Sequence, residues 1–396
     1  MTGTGETRGL AHLLKPVPHK PGWFERHAVS FLRERARDRI LRRRAREDRP
    51  SYVLSEAERD AVQAVVRTTV VRSFLTGALS AAFCLGVFYG LKWQELHWIA
   101  PWAGLGAASL VATVFEVCRL YFTHLDAVSE ILILTGTKVS AVGAAEDDID
   151  AEVAHALARA ALDLPDPKRL FEEIDPERET SRLFLLSAIV LYKGKRSISN
   201  FLVKEVLLHV FPTAAVRAVV PLVSIPITGA WNALVSWRVL REARLRAVGP
   251  SAVQEICAAL LPASGEAPLS DACRLSLLRA VGVTMVREHS AHPNVFALLY
   301  HLAPYLGEVK CVALDDSRRF MEGFQALAAD ERVLVLQLLQ ISAVCDGSVG
   351  RRLRVLIAEA RAACGLSSVT TAVDELGRRL LAGEKIEPSV VAALSA

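Results

Sequence analysis

Two apolar runs separated by a short polar gap constrain this chain more than any other feature. Ser73 to Leu91 is nineteen residues without a charge, and Trp98 to Phe115 is eighteen more. A bilayer core about 30 Å thick takes roughly 20 helical residues to cross. The pair predicts a transmembrane helical hairpin with a tight turn at Lys92 to His97. Tyr89, Trp93, Trp98 and Trp102 cluster around that turn, where interfacial aromatics belong. Gly77 and Gly86 in the first run, and Gly104 and Gly106 in the second, offer small faces for helix packing. Those faces serve either the hairpin itself or a homo-oligomer.

Basic residues set the orientation. Arg67 and Arg72 precede the first run, Arg119 ends the second, and the turn carries one Lys and one Glu. The positive-inside rule then puts both termini in the cytoplasm. Glu116 and Arg119 lie at i,i+3 spacing, close enough to pair. The apolar fraction of 52% and mean hydropathy of +0.29 agree with a membrane module. A formal charge of +4 implies no global acidic or basic field. Seven cysteines, none in a C-x-x-C pair, fit reduced thiols in a cytosolic compartment. No cleavable signal peptide is expected, because the first thirty residues are polar. Abundant Ala and an excess of Arg over Lys fit a GC-rich genome, and the expected residence is a bacterial inner membrane.

Upstream of the hairpin, residues 23–49 place Phe24, Ala28, Phe31, Ala36 and Ile40 at helical spacing among ten arginines and five acids. A basic amphipathic helix of this kind suits anionic lipid headgroups. Ser55 and Glu58 form a capping-box pattern that opens the helix leading into the first run.

Downstream, the pattern stays helical. Ala218 to Trp237 is twenty residues without a charge, but it contains Pro221, Pro226, Gly229 and Asn232. Arg217 precedes it, and Arg238, Arg241, Arg244 and Arg246 follow. Three readings stay open: an interfacial or re-entrant segment bent at the prolines, a buried helix pair, and a third span. Basic flanks on both sides favour one that does not cross. From Ser251 onward, Ser270–Val286, Pro293–Leu306, Asp330–Val344, Gly350–Cys364 and Thr370–Leu381 each repeat apolar residues at i, i+3, i+4.

Chemistry-bearing residues are sparse. His289 and His292 share i,i+3 spacing with Glu288 beside them, and Asp346 ends a helix. These are the metal candidates, although Pro293 turns His292 away from a helix and the spacing is not H-E-x-x-H. Glu146-Asp147-Asp148 and Asp315-Asp316 read as solvated acidic loops. No phosphate loop, dinucleotide fingerprint or nucleophile elbow occurs, so no catalytic residue and no cofactor is assigned.

The stretch Leu338 to Val344 followed by Cys345-Asp346-Gly347, with Ala363-Cys364-Gly365-Leu366 downstream, resembles the TerB-like domains associated with tellurite resistance. The likeness covers residues 318–382 and implies a small all-α domain in which a helix ends at an Asp-Gly. Where that family usually places its next acid, this chain reads Arg351-Arg352-Leu353-Arg354. Residues 217–249, with Pro221, Pro226, Gly229, Trp231 and Asn232, resemble the apolar segments of EcsC-like membrane-associated proteins.

The expected fold is all-α. It comprises a basic tail and amphipathic helix (1–54), a transmembrane hairpin (55–122), a membrane-proximal region with an apolar interfacial segment (123–250) and a soluble helical domain (251–396). The expected function is a membrane-tethered, non-catalytic interaction or stress-response scaffold. The alternative is a transporter or channel component that uses 218–237 as a broken intramembrane element.

Overall fold

The computed structural model describes residues 23–40, 52–94, 100–135, 159–160, 214–261, 269–288, 292–306, 314–347 and 349–395. Trp98, His289 and the acidic run 146–148 lie outside the described residues. Every element among those described is helical.

The two long apolar helices are α2 (Glu56–Trp93) and α3 (Ala100–Thr135). The capping box is real: Ser55 Oγ accepts the Glu58 N–H at 3.4 Å, and Glu58 Oε2 accepts the Ser55 N–H at 2.9 Å. The helices run antiparallel, with Gly104 against Leu91 and Ser109 Oγ 3.8 Å from Cys84 Sγ. Both are long and apolar enough to cross a membrane. Their outward faces are large and apolar: Val71, Leu75, Leu79 and Phe83 on α2, and Leu110, Val114 and Phe115 on α3, are exposed.

Ala218 to Trp237 is continuous helix. It belongs to one helix, α4 (Ala214–Leu260), of 47 residues, or about 70 Å. Pro221 and Pro226 each lack an N–H and would weaken an isolated helix. Packing along α2 keeps this one continuous. A Cβ on Gly229 would stand 2.9 Å from the Phe74 carbonyl oxygen, so the two backbones touch. Thr228 Oγ1 also donates to the Ser224 carbonyl at 2.9 Å, one turn back. Phe74 meets Gly229, Gly77 meets Asn232, and Val62 shares a core with Leu240 and Ala243. The earlier Val62 of α2 lies with the later Leu240 and Ala243 of α4, and the later Phe74 and Gly77 lie with the earlier 228–232, so the helices are antiparallel.

The second half of α4 belongs to another core, and the boundary expected at 250 falls inside this helix. Val248, Val253, Ile256 and Cys257 pack with α5 (Asp271–Glu288), α6 (Pro293–Leu306), α7 (Ser317–Gln325), α8 (Ala329–Val344), α9 (Arg351–Ala363), α10 (Thr371–Ala382) and α11 (Pro388–Ala392). The central helix is α5, buried on most sides from Ser276 to Val286, with Leu277, Val281 and Met285 in the core.

The N-terminal helix α1 (Trp23–Ile40) spends its apolar stripe on protein. Ala28, Val29 and Leu32 are buried with Leu125, Val128 and Ile131 of α3. Glu25 meets Arg159 at 3.1 Å, both buried.

A short strap ties the entry of α2 to the far end of the chain. Leu54 N–H donates to the Gly383 carbonyl at 2.8 Å, and Ile386 N–H donates to Tyr52 Oη at 3.1 Å. Gly383 is required twice over. Its φ is +62°, and a Cβ there would stand 2.7 Å from Leu54 Cγ.

Candidate functional site

The first site is a polar seam buried between α2, α3 and α4. One face of α2 carries Thr69, Ser73, Gly77 and Ser80, and all four are buried. This spacing keeps them on one stripe of the helix. Across from them, Asn232 Nδ2 of α4 donates to Glu116 Oε1 of α3 at 3.0 Å, and both side chains are buried. Gly77 makes room for that pair: a Cβ there would stand 2.5 Å from Asn232 Nδ2 and 2.8 Å from the Thr228 carbonyl oxygen. Further along, His124 Nε2 lies 2.7 Å from Ser236 Oγ, again buried. Ser73 Oγ has no hydrogen-bond partner and no contact with solvent. Unlike the small-residue faces of the seam, Gly86 and Gly106 look onto open space.

The second site is the junction where α4 enters the C-terminal core. His292 Nδ1 accepts the Asn294 N–H at 3.1 Å, so the ring proton sits on Nε2, which reaches Glu242 Oε1 at 2.9 Å. Arg246 Nε donates to the same oxygen at 2.8 Å. Burial raises the Glu242 carboxyl, but the hydrogen bonds from His292 and Arg246 and the charge of Arg246 outweigh it and bring the group to about 2. Asn294 Nδ2 donates to the Leu245 carbonyl at 3.1 Å and the Cys345 carbonyl at 2.9 Å. Arg241 donates to the Gly347 carbonyl. These bonds dock the Cys345-Asp346-Gly347 turn onto α4. The helix that follows is capped from elsewhere: Gly350 N–H at the start of α9 donates to Glu288 Oε1 at 2.6 Å.

His292 has protein partners on both ring nitrogens, and Asp346 is half-buried in its turn. Among the described residues, no group of three or more His, Cys, Asp or Glu side chains could hold a metal ion. Cys345 is fully buried, and its thiol donates to the Ile341 carbonyl at 3.3 Å.

The membrane-interface candidates fall at two levels. Arg72 and Arg119 are exposed on α2 and α3, near one end of the apolar surface, and Arg67 is exposed about one turn beyond. Trp93 is exposed at the other end, and Trp102 lies in the first turn of α3. Arg72 and Trp93 are about 30 Å apart along α2, the thickness of a bilayer core.

Sequence reasoning missed two partners. It noted Glu116 only beside Arg119, and it treated Asn232 only as an interruption of an apolar run. Glu242 drew no notice at all. The one available signal was Asn232 itself, a carboxamide in a long uncharged stretch, which needs a buried partner. No family model, curated protein or solved structure matches this chain.

Proposed function

We propose that this chain is a membrane-tethered helical scaffold of a bacterial inner membrane, with both termini cytoplasmic and no catalytic machinery. In this reading α2, α3 and the first half of α4 cross the bilayer together. One observation carries it: a single 47-residue helix packs along α2 and α3 with its first half and enters the C-terminal core with its second. Such a helix makes the membrane bundle and the C-terminal domain one mechanical unit. The strap at Tyr52 and Leu54 adds a second tie between them.

The exposed apolar faces of α2 and α3 support the membrane placement, because water tolerates contiguous apolar patches of that size poorly. The direction of α4 supports the orientation. Antiparallel to α2, it carries Arg238, Arg241 and Arg244 to the same side as Arg67 and Arg72 and leaves Arg217 alone at the other end. Anionic headgroups would meet the basic face of α1, since its apolar stripe is already used. The open faces at Gly86 and Gly106 leave room for a second copy. The TerB-like stretch 318–382 would be the presenting module of a stress-response scaffold. Alkaline carbonate extraction of membranes tests the tether: the protein stays in the pellet, and release into the supernatant would refute it.

A second reading, a transporter or channel component, draws on the polar seam. It no longer needs a broken helix, because α4 is continuous. Its support is the carboxylate of Glu116, buried within the apolar span.

A further inference from the structure

We propose that Arg244 of α4 and Arg59 of α2 bind one phosphate group of a soluble cytoplasmic ligand, at the joint between the membrane bundle and the C-terminal domain. Only the choice of a soluble ligand over a lipid headgroup rests on the membrane placement of these helices, which carbonate extraction tests separately.

Arg241, Arg244 and Arg246 follow one another along the middle of α4. Two of them are spent. Arg241 donates to the Gly347 carbonyl, and Arg246 Nε donates to Glu242 Oε1 at 2.8 Å. Arg244 is half-buried, and its Nε is shielded from solvent without a hydrogen-bond partner. Other arginines share a buried, unpartnered Nε, but another nitrogen anchors each of them. Arg159 meets Glu25, Arg274 meets Asp271, Arg279 meets the Arg319 carbonyl and Arg332 meets the Ala363 carbonyl. Among the described residues, no such anchor holds Arg244.

A second cation stands beside it. Burial, and then the charge of Arg59, lower Arg244 from its ordinary value, and no carboxylate among the described residues offsets them. Arg59 Nη1 lies 3.5 Å from Glu384 Oε1, but Arg378 already holds both oxygens of that carboxylate at 3.0 and 3.2 Å. Neighbouring acids are engaged or turned to solvent. Glu58 Oε2 accepts the Ser55 N–H, Glu242 meets His292 and Arg246, and Glu56 and Asp60 are exposed.

Two guanidinium groups of like charge, one with a sheltered N–H, suit an anion with several acceptor oxygens. Nε–H and the adjacent Nη–H form the edge of the fork that takes phosphate through two parallel hydrogen bonds. A phosphate monoester carries about two negative charges at neutral pH, and Arg59 supplies the second positive one. Arg59 precedes Ser73, where the uncharged run begins, by about 21 Å along α2. Headgroups reach only roughly 5–8 Å beyond the hydrocarbon on each side. A lipid phosphate falls short of that position, whereas a soluble ligand reaches it from the cytoplasm.

The test uses the full chain in phosphatidylcholine nanodiscs, with inorganic phosphate as the probe, and follows the thermal unfolding midpoint. Potassium phosphate replaces potassium chloride at constant ionic strength and pH. Phosphate also stabilises proteins through exclusion from their surface, so the response must both saturate and depend on the site. The wild type should show a saturable rise. Arg244→Gln should abolish it, and Arg59→Gln should raise the half-saturating concentration about tenfold. Arg72→Gln, beside the apolar surface, should leave the response unchanged. A second arm exchanges phosphatidylcholine for phosphatidylglycerol without phosphate. A flat wild type, a rise that never saturates, or equal responses in the wild type and Arg244→Gln overturn the proposal. So does an equal loss in Arg72→Gln. A response to phosphatidylglycerol alone overturns it too, because it identifies a headgroup. If Arg244→Gln does not fold, Arg59→Gln decides: an unchanged half-saturating concentration overturns it.

Discussion

Gly77 of α2 lies against Asn232 of α4 so closely that a single added carbon would stand 2.5 Å from the carboxamide nitrogen. Residues 155 positions apart in sequence thus set how near two long helices approach. Gly77→Ala should push α4 off α2 and cost about 1–3 kcal/mol, a typical overpacking penalty. Gly86→Ala is the control. It meets nothing within 4 Å and replaces a helical Gly, so it should be neutral or stabilise by up to about 1 kcal/mol. Denaturation of both variants in matched detergent measures the difference, and equal effects would contradict the close approach.

The strap gives a second prediction. Tyr52→Phe removes the acceptor of the Ile386 N–H and leaves a buried donor unpaired. The expected loss is about 1–3 kcal/mol. Amide exchange should rise at Ile386 and in its surroundings, while α5 stays protected. Unchanged exchange at Ile386 would mean that the strap does not form.

Glu242 predicts a pH dependence. Its folded pKa of about 2 lies below the ordinary 4.5. A depressed acid contributes stability above its unfolded pKa and loses it as pH falls through its folded value. The difference in stability between the wild type and Glu242→Gln should therefore be constant above about pH 5 and shrink towards pH 2. Chemical denaturation from pH 7 to pH 2.5 reads it. A difference that grows on acidification would reverse the sign and refute the pairing with His292 and Arg246.

Thiol chemistry gives the fourth. Burial pushes Cys257 and Cys273 up to about 12 and Cys345 well above its usual value, so none forms a thiolate at neutral pH. Maleimide should label these three only after unfolding, as read by mass spectrometry. Rapid native labelling of Cys345 would contradict a buried structural role.

Much of the C-terminal domain is legible in the sequence. Pro293–Leu306 is predictable to the residue, because Pro293 supplies a first helical turn and Gly307 a stop. The helix Ser317–Gln325 escapes notice: nine residues with two arginines at the start show too little periodicity. The continuity of α4 is not legible either. Pro221 and Pro226 are local breakers, and the contacts of Gly77 and Gly229 that override them come from distant parts of the chain. The seam is hidden for the same reason. Glu116 and Asn232 are each visible, but their pairing across 116 positions exists only once three helices pack.

The proposed crossing of α4 beside α2 and α3 fixes which of its ends faces outward. Single cysteines at positions 94, 217 and 238, in a background lacking native thiols, test it most directly through a membrane-impermeant maleimide applied to intact cells. Labelling is expected at 94 and 217 from outside, and at 238 only after the membrane is opened. Labelling of 217 and 238 from the same face would contradict it and return residues 218–237 to a non-crossing segment.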